Sequence, residues 1–369
     1  MKSNYRADID GLRAIAVLAV ILNHADVPLF SGGYVGVDIF FVISGYLITG
    51  IIARELTQGE FSLARFYERR VRRIFPALFA VLLFTTLAGA LLYNAENFSD
   101  YGRSVIAATF FFSNVHFWKE VGYFDAPAQL KPLLHTWSLA VEEQFYIFFP
   151  LLMAALARFA KRKTVWALSA LALASFAYSV YQVYFGDPSA AFYLPQTRIW
   201  ELLIGCLLAL FVDRLSAGIG VKNALSFLGL AFIFAPILFY SENTPFPGVA
   251  AAAPVMGAAL ILFSGANAQP LVNRLLSAPP MVFIGKISYS LYLWHWGFFI
   301  FAKYYLIQPL SALQTAWLLF AALAVSSLSW KWIEQPFRHT ANAPRSVLFR
   351  YAAGAMALAA LTGWLISAQ

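Results

Sequence analysis

Apolar residues run along this chain almost from end to end, in stretches of roughly 20 separated by short polar segments. A stretch of that length matches a bilayer hydrocarbon core about 30 Å thick. Backbone groups in lipid must be satisfied internally, so each stretch predicts a helix. Candidate spans lie at 11–27, 34–53, 75–93, 136–157, 165–185, 197–213, 223–240, 248–265, 286–306, 312–333 and 346–366. A further run, 102–118, is shorter and ambiguous.

Charge decides how that run is read. The segment 54–73 carries Arg54, Arg65, Arg69, Arg70, Arg72 and Arg73, and 158–163 reads Arg-Phe-Ala-Lys-Arg-Lys. Both are expected on the cytoplasmic side, where basic loops accumulate. An even number of crossings must separate them, and 75–93 with 136–157 supplies it. The run at 102–118 is therefore expected to be re-entrant or interfacial. Continued alternation puts Arg214, Lys222, Arg274, Arg338 and Arg345 inside, the N-terminus in the cytoplasm and Gln369 outside. The expected fold is an all-α polytopic membrane bundle of about ten core helices plus one extra C-terminal span, with a central cavity near Arg13, His24 and the arginine cluster.

Composition sharpens this picture. Of 369 residues, 61% are hydrophobic and 12% charged, and the mean hydropathy is +0.69. A soluble domain carries about 25% charged residues. The net charge of +8 belongs to loops between apolar runs and is no nucleic-acid signal. The single cysteine, Cys206, can form no internal disulfide. No cleavable signal peptide is visible, since the first apolar stretch is followed at once by another. There is no P-loop, CxxC, HExxH, GxSxG or Rossmann fingerprint, so nucleotide hydrolysis, zinc chemistry and a resident cofactor have no sequence support.

The polar residues inside apolar runs carry the candidate chemistry. Arg13 and His24 share the first stretch. On a helix they lie about 20° apart around the axis and about 16 Å apart along it. Ionisable groups in membrane helices are costly and commonly functional. A cation near one surface and a titratable base beyond it suit an anion-binding mouth with proton chemistry further in, while snorkelling and interhelical bonding explain the same pair without function. Asp38 follows the glycines of Ser31-Gly-Gly-Tyr34-Val-Gly36-Val-Asp38 and needs a partner such as His24 or Arg13. Arg69 with Arg72, and Arg70 with Arg73, are i,i+3 pairs. Their guanidinium forks suit phosphates, and they equally suit anionic lipid.

The fourth span opens His135-Thr136-Trp137-Ser138-Leu-Ala-Val-Glu142-Glu143-Gln144. A buried carboxylate there suits either acid–base work or pairing with an arginine from another span. Arg198 and Glu201 read as an i,i+3 ion pair. Ser288, Tyr292 and His295 form one helical stripe that can bond a neighbouring helix or a polar ligand. Asn97-Phe-Ser99 fits the glycosylation triplet, a weak signal.

Taken in order, these segments resemble the acyltransferase-3 family of membrane acyltransferases. The resemblance rests on the spacing of Arg13 and His24, on Gly32 to Asp38, and on Phe40 to Tyr46. It rests also on the Arg-x-x-Arg of Arg69 and Arg72, on Trp137 to Tyr146 and on Ser288 to His295. It implies a bacterial inner-membrane O-acyltransferase that takes an acyl group, usually acetyl, from cytoplasmic acyl-CoA to hydroxyls of a glycan such as lipopolysaccharide O-antigen, peptidoglycan or exopolysaccharide. Under it His24 is the catalytic histidine, with Asp38, Glu142 and Glu143 as groups that tune it. Arg13, Arg69 and Arg72 hold CoA, joined by Arg70 and Arg73. Trp137, Ser288, Tyr292 and His295 meet the acceptor.

The variant resembled often continues past a further span into an extracytoplasmic SGNH hydrolase-like domain. Residues 1–340 are then expected to form the acyltransferase domain and 341–369 the further span, with the SGNH part absent or supplied by a separate protein. The competing classes are a transporter or flippase of a glycan or anionic substrate, and a structural or sensory protein whose charges only join helices.

Overall fold

The computed structural model describes residues 5–120, 130–339 and 344–369, so the expected domain boundary at 340/341 lies outside the described residues. These residues form helices and connecting turns, with no strand among them. Eight helices among them are long and apolar enough to cross a bilayer. The chain is an all-α polytopic membrane protein.

The helices are α1 (Ala7–His24), α2 (Gly36–Gln58), α3 (Leu63–Leu92), α4 (Ala95–Thr109), α5 (Ser113–Glu120), α6 (Thr136–Phe159), α7 (Thr164–Phe185) and α8 (Pro188–Tyr193). They continue as α9 (Pro195–Phe211), α10 (Ile219–Phe239), α11 (Ala252–Ser264), α12 (Leu271–Leu276), α13 (Pro279–Leu306), α14 (Ala312–Ser329), α15 (Gln335–His339) and α16 (Arg345–Ser367). Local chemistry sets many of their ends. Asp8 and Asp10 sit in the first turn of α1, where the helix dipole favours negative charge. Proline opens α8 and α9, a position whose missing N–H costs nothing. A capping box of Ser311 and Gln314 starts α14, and Gly59 at φ 72° ends α2.

Each of the eleven expected runs coincides with a helix. Three of these helices, α1, α11 and α13, are not among the eight that are long and apolar enough to cross a bilayer. The run at 248–265 becomes a helix only from Ala252, because turns occupy 247–251. The run at 102–118 is shared between α4 and α5, broken at 110–112 where Phe111 takes φ 56°. At 1.5 Å per residue these two pieces measure about 22 and 12 Å, too short to cross singly. That matches the re-entrant or interfacial reading.

The chain packs as two compact units. The first comprises 1–60 and 145–288, and the second 61–144 and 289–369, so the division falls within α6 and within α13.

In the first unit α2 lies directly on α9. A Cβ added at Gly45 would stand 1.9 Å from the Leu202 carbonyl oxygen, and one at Gly205 would stand 2.1 Å from that of Val42. The two glycines face each other's helix, and small residues at such crossings let membrane helices touch backbone to backbone. Gly205→Leu is expected to force the helices apart and cost about 1–3 kcal/mol or more, read as a lower melting temperature in detergent. An unchanged melting temperature would remove the close-approach argument.

The second unit contains α3, α4, α5, α14, α15 and α16 with parts of α6 and α13. Here α4 and α16 cross at Gly102 and Gly363, whose added Cβ atoms would lie 2.6 and 2.7 Å from the opposite glycine's carbonyl oxygen. Ser99 donates to the Ser367 carbonyl at 3.2 Å, closing the far end of the same contact. After α14 the helix widens into a π-turn over Trp330–Glu334. Glu334 is buried there and accepts a hydrogen bond from Ser290 of α13.

Candidate functional site

In the first unit, Arg13 and His24 stand on one continuous helix, as their spacing requires. His24 occupies the last turn of α1 and is only 9% exposed. Arg13, about 16 Å back along the axis, pairs with Asp10 at 3.4 Å. The chain then turns into α2. Asn23 donates to the carbonyls of Phe30 and Ser31 at 3.1 and 2.9 Å, which holds the loop. Gly33 and Gly36 set the start of α2 against the second half of α1. Their added Cβ atoms would lie 2.1 Å from the Ala19 oxygen and 2.3 Å from that of Ala16.

Asp38 therefore enters α2 beside the half of α1 that ends in His24. Its ion-pair partner is Arg198 in the first turn of α9, at 3.3 Å. The same guanidinium meets Glu201 at 3.1 Å. All three side chains are at most 1% exposed. The rings of Phe41, Phe192 and Phe246 surround Arg198, with centroids 5.6, 5.7 and 5.4 Å from its guanidinium carbon. Such faces attract a cation and exclude water. The i,i+3 pairing of Arg198 with Glu201 was legible in the sequence. The third member, Asp38, joins through tertiary packing, and the expectation of a partner on α1 gives way to Arg198 as the partner the geometry supplies.

In the second unit, Arg69, Arg70, Arg72 and Arg73 lie on the first turns of α3. Arg72 is buried and bonds Glu68 at 3.1 Å; Glu68 in turn accepts from Arg345 of α16 at 2.6 Å. The terminal helix is thus tied to the arginine segment by one carboxylate. On α6, Glu143 is buried and Glu142 partly exposed. Arg70 and Arg73 act electrostatically on Glu143, so the second arginine pair and this carboxylate belong to one charged cluster.

Around α13, the Tyr292 hydroxyl lies 2.7 Å from Ser138 Oγ and 2.7 Å from the His135 carbonyl. The His135 ring packs against Tyr292, His295 and Trp296, with centroids 5.5, 5.9 and 6.2 Å away. His295 Nδ1 meets its own helix at the Leu291 carbonyl, 3.0 Å away. Trp296 Nε1 donates to the Lys131 carbonyl at 2.8 Å. Trp137 is buried. The structure thus gathers Tyr292 and His295 with His135 and Ser138. His135 opens the fourth-span run, but its neighbours come from α13, which no local pattern shows. Ser288, buried one turn before Tyr292 on α13, is grouped with the first unit.

The fold defines a polytopic helical membrane protein, and comparison with known proteins gives its family. Residues 6–333 match the family model described as "Acyltransferase domain", and the chain belongs to that family. It is 36% identical over 357 residues to "Putative O-acetyltransferase SAS0844" of Staphylococcus aureus (strain MSSA476), covering 91% of this chain and 58% of that protein. It is 35% identical over 352 residues to "O-acetyltransferase OatA" of Staphylococcus aureus (strain NCTC 8325 / PS 47), covering 90% and 57%. The chain therefore spans less than two thirds of these relatives' length. No solved structure matches it.

Proposed function

We propose that this chain is the membrane half of an O-acetyltransferase, moving acetyl from cytoplasmic acetyl-CoA to, or towards, hydroxyls of an extracytoplasmic glycan such as lipopolysaccharide O-antigen. The observation that carries the reading is the placement of Arg13 and buried His24 on one helix in a chain matched to the acyltransferase family. The protein lies in the bacterial inner membrane with its N-terminus in the cytoplasm and Gln369 outside. Residues 1–340 are the acyltransferase domain, and 341–369 lead towards an SGNH-type partner, fused or separate.

Arg13, Arg69, Arg70, Arg72 and Arg73 are the groups for the anionic donor, since guanidinium forks grip phosphates through paired charge-assisted bonds. His24 takes the proton of an acceptor hydroxyl as its oxygen attacks the thioester carbonyl. The C–O bond forms, the C–S bond breaks, and the proton passes to the departing CoA thiolate. An acyl-histidine that later yields to the hydroxyl balances equally well. Asp38, Glu142 and Glu143 act by setting the field around these groups, and Trp137, Ser288, Tyr292 and His295 by holding the acceptor.

Arg69→Ala and Arg72→Ala test the donor role. Losing one charge-assisted contact costs about 1.5–3 kcal/mol, so KM for acetyl-CoA is expected to rise about 10- to 100-fold, with a smaller change in kcat. Unchanged acetyl-CoA affinity in folded variants would remove the assignment.

A further inference from the structure

A cleft of about 400 Å³ opens in the second unit where α3 ends, bounded by Tyr93, Asn97, Asp100, Glu120, Lys131 and Tyr304 among its lining residues. Its volume lies in the range of small-molecule sites. Along α3 the distance from Arg73 to Tyr93 is about 30 Å at 1.5 Å per residue, one hydrocarbon thickness. The cleft and the arginine segment therefore occupy opposite ends of the same helix.

The walls combine two kinds of surface. The rings of Tyr93 and Tyr304 meet edge to face, with centroids 4.6 Å apart and planes at 69°. They form an apolar corner whose hydroxyls stay polar. Asn97 donates its amide to the Tyr304 hydroxyl at 3.2 Å, and Tyr93 donates to the Leu130 carbonyl at 3.1 Å. Each of these groups keeps further donor or acceptor capacity.

The charged groups are compensated in place. Glu120 pairs with Lys131, and Asp100 with Arg103 at 3.2 Å. His116, 3.5 Å from Glu120, is pushed by burial below the usual imidazole range, against the pull of that carboxylate. It adds no positive charge at neutral pH. Among the described residues of this wall, lipid phosphate or another anion finds no uncompensated cation, and a purely apolar ligand would strand its polar groups.

We infer that this cleft is a binding site for a neutral, hydroxyl-rich ring, a pyranose sugar, seated against Tyr93 and Tyr304 and hydrogen-bonded by Asn97. The inference deepens the acyl-transfer reading and rests on it for the meaning of the sugar as the acceptor. The site holds glycan at one membrane face while the arginines serve the donor at the other.

The test uses the full chain in lipid nanodiscs and saturation-transfer NMR. The probes are the methyl glycosides of glucose, galactose, rhamnose and N-acetylglucosamine. Ring protons of at least one glycoside are expected to receive saturation. Asn97→Ala and Tyr304→Phe should each weaken that binding about five-fold, the loss of one hydrogen bond, and Tyr304→Ala should abolish it. Acetyl-CoA affinity, followed by tryptophan quenching in the same samples, should stay at the wild-type value and so report intact folding. Saturation of no glycoside, or equal saturation in the wild type and in folded Asn97→Ala and Tyr304→Ala, would overturn the site. Failure of the wild type to bind acetyl-CoA would instead remove the donor reading, a separate result from glycoside binding.

Discussion

Arg198→Leu is expected to destabilise the protein by about 3–5 kcal/mol, the usual result of removing one partner from a buried ion cluster. Two carboxylates, Asp38 and Glu201, share this guanidinium with almost no exposure to solvent. Without it two carboxyl groups would face each other with no cation between them, in an apolar setting walled by Phe41, Phe192 and Phe246. The remedy is specific. Adding Asp38→Asn and Glu201→Gln to Arg198→Leu removes the stranded carboxyl groups and should restore much of the lost stability, although each carboxylate change in the wild-type background is itself unfavourable. Thermal unfolding in detergent across the full mutant cycle measures this. Additive effects with no rescue would show that the three residues do not act as one charged unit.

His24→Ala is expected to lower the acyl-transfer rate about 100- to 10,000-fold, the range for loss of a positioned general base. Its stability should change little by comparison. His24 lies in the last turn of α1, where truncation disturbs no following helical turn. His24→Gln keeps hydrogen bonding without a useful proton acceptor and should be as inactive as alanine. Both variants should bind acetyl-CoA as the wild type does, because the donor contacts are assigned to arginines. A weakened acetyl-CoA affinity with preserved turnover would instead place His24 in donor binding.

Much of the helix order was legible because each span is an apolar run of about the right length, which needs no partner to declare itself. The start of α11 was not. Its run is uniformly apolar to Ser264, and only the local conformation at 247–251 shows that the helix begins late. Charge alternation marks the run at 102–118 as re-entrant or interfacial, but its break at Phe111 depends on a backbone angle that no composition reveals.

The site shows the same divide. The spacing of Arg13 and His24 placed them correctly on one helix, and the i,i+3 rule found Arg198 with Glu201. Asp38 meeting Arg198 and Arg345 meeting Glu68 are contacts between residues 160 and 277 positions apart. Such pairs exist only after packing. Tyr292 with Ser138 belongs to the same kind, and so does the edge-to-face corner of Tyr93 and Tyr304.

The most direct test of acyl transfer by this chain uses inverted membrane vesicles given acetyl-labelled acetyl-CoA. Wild type and His24→Ala are compared, with and without an added SGNH-type protein, and label is followed on the chain, across the membrane and in glycan. Acyl transfer predicts label movement in the wild type that His24→Ala abolishes, with glycan labelling raised by the added partner. Equal labelling in the two proteins, or no label in any fraction from folded wild-type protein, would contradict it and favour a transporter or a structural protein.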